Sequence, residues 1–275
     1  MKYIFLNLKR FDIPPEKGGV NRIAAPAAWG GYIASAIGSV TERYPETTFA
    51  AFFPEAHIIP AASAGKGRLN IGCQGLHTAD TAVGGPFGAF TTSLTGNAAA
   101  ALGCSWAIIG HCEERNKLAA VITEAGGDLS AVDRILNAEV KRAKEAGLNV
   151  LYCMGEKAEE VDFRHQVFEA QLKEGLKDVD PEGVVIGYEP VWAIGPGKTP
   201  PGRERIAETA AELKRILPLP VVYGGGLKAD NAAMLASIPE IDGGLIALTR
   251  FAGEIGFYPE EFAEIVDIYM QNCDK

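Results

Sequence analysis

Short apolar runs recur along the chain, separated by longer stretches in which apolar residues fall three or four positions apart. The runs are Tyr3–Leu8, Thr48–Phe53, Leu69–Gln74, Trp106–Ile109, Asn149–Cys153, Val184–Tyr188, Pro220–Tyr223 and Gly244–Leu248. Their length and their wealth of Val, Ile, Phe and Tyr suit buried strands. The stretch 129–146 places Val132, Ile135, Leu136, Val140 and Ala143 on one helical face, and 168–176, 203–217, 231–238 and 260–270 share that period. Helical segments that repeatedly separate strands require parallel strands joined by crossovers. Eight such units predict an α/β fold, a closed (β/α)8 barrel forming a single domain over residues 1–275. In the rival doubly wound open sheet a Gly-rich turn should follow the first strand, but NLKRFD stands there.

Composition narrows the function more than the fold. The 275 residues are 47% hydrophobic and 22% charged, the globular range for a chain able to bury one large core. A formal charge of −9 and the absence of a long basic run argue against nucleic acid as a partner. No run is long enough to span a membrane. The opening MKYIFLNLKRFD is broken by Asn7 and Lys9 and lacks a cleavage site, so it is not read as a signal peptide. Five cysteines without CxxC or CxxH spacing predict reduced thiols in a cytoplasmic protein and no zinc site. The longest unpatterned piece, HTADTAVGGPFGAFTTSLTGN at 77–97, predicts a loop that binds something.

The chemistry lies where the strands stop. In a barrel, catalytic groups come from the C-terminal strand ends, with side chains alternating in direction. Asn7 and Lys9 share a face past the first strand. His111 follows the fourth strand in AIIGHCEERN, with Glu113 two residues on, and Glu189 closes the sixth in VVIGYEPVWAIGPGKTP. Taken singly, Lys9 reads as a solvated lysine, His111 as structural and Glu189 as the partner of a buried cation. Together they supply a base, an electrophile and a charge stabiliser. Aromatic and apolar neighbours predict a raised pKa for Glu189. The stretch EKAEEVDFRHQ reads as a solvated helical face, His57 and His165 as surface residues, and Cys112 and Cys153 as space-filling.

These motifs closely resemble the triosephosphate isomerase family. VIGYEPVWAIGPGKTP is similar to its glutamate and lid motif almost letter for letter, AIIGHCEERN to its histidine strand, NVLYCMGE to its fifth strand and VVYGGGLKADNAAML to its seventh. The resemblance implies a TIM barrel and an aldose–ketose isomerase acting through an enediolate on a small phosphorylated sugar, with no metal or organic cofactor. It implies Glu189 as the base, His111 as the electrophile, Lys9 as the stabiliser with Asn7 beside it, and Glu113 as a carboxylate near the lysine. Residues 191–198 become a lid hinged at Trp192. Substrate phosphate falls to the N–H groups of Gly195, Gly226, Ala247 and Leu248.

The sequence departs from the family at several points. Gly226 stands where serine is usual, which removes a latch hydroxyl, and Ala247–Leu248 replace two glycines that let the backbone approach an anion. Arg250 is a candidate replacement cation. Glu114 and Ser93 occupy the places of an intersubunit ion pair, while Thr91 is kept, so a homodimer through residues 84–96 is expected with altered polar contacts. NLK and the first loop after it are also unusual. A triose phosphate or a longer ketose phosphate fits these changes; the alternative is a non-catalytic barrel that binds an anion as a sensor or scaffold.

Overall fold

The computed structural model describes residues 1–195 and 197–273, so the part of the predicted lid at position 196 lies outside the described residues. Eight parallel strands close into a barrel in chain order: β1 (Lys2–Asn7), β2 (Thr47–Phe53), β3 (Leu69–Gln74), β4 (Trp106–Ile109), β5 (Asn149–Met154), β6 (Val184–Tyr188), β7 (Val221–Tyr223) and β8 (Gly243–Ile246). The helices are α1 (Trp29–Glu42), α2 (Glu55–Ala64), α3 (Gly96–Ala101), α4 (Cys112–Glu124), α5 (Ala131–Glu145), α6 (Arg164–Gly175), α7 (Arg203–Ile216), α8 (Ala232–Ala236) and α9 (Pro259–Met270). No helix among the described residues is long and apolar enough to cross a membrane.

Side-chain alternation sorts the core into two shells. Inward residues Phe5, Ala50, Phe52, Trp106, Ile108, Leu151, Val185, Val222 and Leu245 fill the barrel axis. Their neighbours Ile4, Leu6, Phe49, Ala51, Val184, Ile186 and Tyr188 pack outward against the helices. The inward face of β6 runs Val185, Gly187 and then Glu189, so strand periodicity alone delivers the carboxylate to the barrel mouth. At Gly187 an added Cβ would lie 3.0 Å from Cys153 Sγ, so this glycine makes room for the neighbouring strand's thiol rather than for the carboxylate.

Strand boundaries follow the apolar runs within a residue or so, except at the end of β8. The run suggested a strand to Leu248, but pairing with β1 stops at Leu6↔Ile246 and pairing with β7 at Tyr223↔Gly244. With no neighbour to extend either ladder, Ala247 and Leu248 leave the sheet.

Candidate functional site

The α4 N-terminus organises the site. His111 is the residue before Cys112, where the first helical N–H groups have no partners within the helix. Cys112 N–H donates to Glu189 Oε2 at 2.8 Å, and Glu113 N–H donates to His111 Nδ1 at 3.3 Å. The second bond places a lone pair on Nδ1, which puts the proton of the neutral ring on Nε2. That atom lies 3.1 Å from Glu189 Oε1. The pair is close but not aligned as a hydrogen bond, so Oε1 stays buried without a donor.

Burial sets the charge states. Glu189 is 1% exposed, and desolvation pushes its carboxyl up to about 8, against the opposing pull of the Cys112 N–H and the Lys9 charge. Desolvation, with Lys9 repulsion second, pushes His111 down to about 4 despite the nearby Glu113. The imidazole is therefore neutral across the physiological range, and Glu189 is poised near it. Arg115 locks this corner, donating to Gly110 O, Cys153 O, Asp133 and the Tyr152 hydroxyl.

Lys9 reaches the site by a route that strand parity does not describe. The strand ends at Asn7, and Lys9 takes φ 41, a left-handed conformation rare for a residue with a side chain. Asn7 Oδ1 accepts from Lys9 N–H at 3.0 Å, and Gln74 Nε2 donates to Asn7 Oδ1, Lys9 O and Phe52 O. Asn7 thus holds the lysine backbone in place. Lys9 Nζ meets Glu113 Oε1 at 2.8 Å. Burial alone would raise Glu113, but its bond and charge attraction to Lys9 win and hold it low. Asn7, Lys9, His111 and Glu113 line one cleft of about 620 Å³, which continues past Gly75, Ser93 and Leu118 to Glu114 and Glu139.

The glycine positions stand apart from this cluster. Gly195 and Gly226 have φ 116 and φ 99, and a Cβ on Gly195 would meet nothing within 4 Å. Ala247 and Leu248 do not have positive φ, so side chains there cost no backbone strain. Leu227 N–H donates to Leu245 O, tying the loop after β7 to β8. Arg250 is not turned toward these positions: Nε and Nη2 bind Glu261 of α9 at 2.7 and 2.5 Å, and the guanidinium lies over the Tyr258 ring. Lys228 is the cation beside Gly226: its Cε would lie 3.5 Å from a Cβ there, and its Nζ sits 4.2 Å from the Phe251 ring centre. Nothing in the sequence marks Lys228, because a lysine after a glycine run reads as surface.

Two further readings need correction. Glu156 opens the supposedly solvated EKAEEVDFRHQ stretch but is fully buried, and its Oε1 accepts from the Tyr188 hydroxyl at 3.1 Å and Trp192 Nε1 at 2.9 Å. It pins the start of the segment that follows Glu189. His57 is also buried, stacked edge-on to Trp29 with Nε2 3.3 Å from Asp12 Oδ2, so it braces the first loop. His165 is the exposed one, paired with Glu212.

Comparison with known proteins bears on the whole arrangement. The family described as triosephosphate isomerase matches residues 30–268. A triosephosphate isomerase of Prosthecochloris aestuarii is 35% identical over 80% of this chain and 83% of its own length. That of Oleidesulfovibrio alaskensis is 31% identical over 96% and 98%. A crystal structure of triosephosphate isomerase from Bartonella henselae superposes with a TM-score of 0.72 at 25% identity, covering 98% of this chain and 99% of that one.

Proposed function

The chain belongs to the triosephosphate isomerase family, and from that premise we propose that this aldose–ketose isomerase interconverts dihydroxyacetone phosphate and glyceraldehyde 3-phosphate in the cytoplasm. The observation that carries the reading is the buried, orphaned Glu189 Oε1 beside a neutral imidazole. An ionised carboxylate in a dry setting is a strong base for a carbon acid.

Glu189 removes the proton from the carbon next to the carbonyl, and His111 Nε2–H donates to the carbonyl oxygen as negative charge builds there. A neutral donor suits this step, because after giving its proton to one oxygen it can retrieve one from the other. Lys9 stabilises the enediolate by charge, and Glu113 and Asn7 keep that ammonium in place. The substrate phosphate takes the N–H groups of Gly195, Gly226, Ala247 and Leu248, with Lys228 as the added cation. Closure of the lid over bound substrate shuts water out.

A homodimer through residues 84–96 completes the reading. Val83 and Phe87 are almost wholly exposed on the 77–95 arm, whose Ser93 and Leu94 line the cleft. An arm with an apolar tip next to a groove supports exchange of arms between two copies. Light scattering at micromolar concentration should give twice the chain mass; a monomer would refute it.

A coupled isomerisation assay with dihydroxyacetone phosphate tests the activity. A kcat/KM approaching the diffusional ceiling of about 10⁸–10⁹ M⁻¹s⁻¹ is expected. A value many orders lower, with turnover of a longer ketose phosphate, would move the substrate and keep the chemistry.

A further inference from the structure

We infer that His111, Cys112 and Glu189 form an inhibitory site for a borderline-soft divalent cation, with Zn²⁺ the best fit, in the substrate-free protein. One donor atom from each residue lies within 4.8 Å of the others, giving a nitrogen, a sulfur and an oxygen. Tetrahedral zinc with bonds of about 2.0–2.3 Å needs donors about 3.4–3.6 Å apart. His111 Nε2 and Glu189 Oε1 are 3.1 Å apart, close to one such edge, whereas Cys112 Sγ lies 3.8 Å from the other ring nitrogen, Nδ1. An ion takes only one ring nitrogen, so with Nε2 and Oε1 as ligands the thiol must turn in from the Nδ1 side of the ring to complete the set.

A second observation points to a ligand. Glu189 Oε1 is buried without a donor, while Oε2 is held by the Cys112 N–H, so one oxygen is oriented and the other is free to coordinate. Three protein donors would leave a fourth position for water. The sulfur selects Zn²⁺ over Mg²⁺ and Ca²⁺, which prefer oxygen. On binding, the thiol proton passes to solvent and a Zn–S bond forms; no electrons move. His111 gives up its long bond from Glu113 N–H or turns its ring. CxxC-type spacing could not reveal the site, because the carboxylate joins its neighbours from 77 positions away.

A metal there occupies the base and the electrophile, so turnover should stop and return with a chelator. That consequence rests on the isomerase reading; the binding does not. The test uses the full chain, stripped of metal, in equilibrium dialysis with ZnCl₂ and in absorption spectra with Co²⁺, alongside the isomerisation assay. Wild type should bind one tight equivalent of zinc and show a thiolate-to-cobalt charge-transfer band, and Mg²⁺ should not inhibit. Cys112→Ser should abolish the band and weaken zinc at least tenfold. Glu189→Gln should weaken zinc similarly while keeping the band, which covers the case of a misfolded serine variant. Zinc binding untouched by the folded variants, or wild type that neither binds zinc nor gives the band, would overturn the site. If the protein isomerises nothing, dialysis and the spectrum still decide, so failure of the functional reading is told apart from failure of the site.

Discussion

Two regions of the barrel mouth meet chemical demand in different ways. At the ends of β1, β4 and β6, the proposed chemistry falls to side chains and each is fixed: Asn7 and Gln74 hold Lys9 in a left-handed turn, α4 N–H groups hold His111 and Glu189, and Arg115 ties the corner. In the loop after β6 and beyond β7 and β8, the groups proposed to bind substrate are backbone N–H donors at Gly195, Gly226, Ala247 and Leu248. Side-chain identity matters less there, provided the backbone keeps its course, and Ala247 and Leu248 keep ordinary φ. Proton transfer fails when a group moves by an ångström, whereas an anion held by several N–H groups tolerates exchange of the residues that carry them. Gly226, Ala247 and Leu248 depart from the family pattern in the second region, while Asn7, Lys9, His111 and Glu189 keep it in the first.

The comparison breaks most visibly at the base. Glu189→Gln should lower kcat by about 10²–10⁴-fold with little change in KM, since general-base catalysis is worth about that much. Steady-state kinetics would show it, and a rise confined to KM would place Glu189 in binding instead. Lys228→Met should do the reverse, raising KM about tenfold or more with kcat nearly kept, as expected for one charge-assisted contact of about 1.5–3 kcal/mol. An unchanged KM would leave the second region with backbone donors alone.

The pH profile sharpens the first region. Burial lifts Glu189 to about 8, and a base acts only when ionised. kcat/KM should therefore fall about tenfold per unit as pH drops below about 8, because it reports groups of the free enzyme. A limb near the ordinary carboxylate range would mean the carboxylate is better solvated than its position indicates.

The smallest effect lies at the far end of the cleft, where Glu114 and Glu139 face each other. Burial raises both carboxyls, and for Glu139 the charge of Glu114 adds to it. Groups with raised folded pKa values bind protons more tightly folded than unfolded. Stability is therefore highest where both states are protonated and declines as pH climbs from the ordinary carboxylate range toward the raised values. Glu139→Gln should lose fewer degrees of Tm than the parent between about pH 6 and pH 9 in calorimetry. An equal loss would show that the pair does not govern the slope.

Much of the barrel was legible from alternation, because strands buried on both faces leave continuous apolar runs and the helices between them keep a clean period. The acid at Glu189 was legible for the same reason, lying two steps beyond Val185 and Gly187 on one face. What stayed hidden depends on contacts between distant segments. Glu156 looks like any acid in a charged stretch until Tyr188 and Trp192 close over it, and His57 looks exposed until Trp29 and Asp12 meet it. The end of β8 could not be read from its own residues, since pairing partners on β1 and β7 decide it.

The most direct test of Glu189 as a carbon base is isomerisation of dihydroxyacetone phosphate in D₂O, with the products followed by proton NMR for wild type and Glu189→Gln. Deuterium at C2 of glyceraldehyde 3-phosphate, lost in the variant together with turnover, is the expected result. Product formed by wild type without solvent deuterium, or labelled equally fast by the variant, would contradict it.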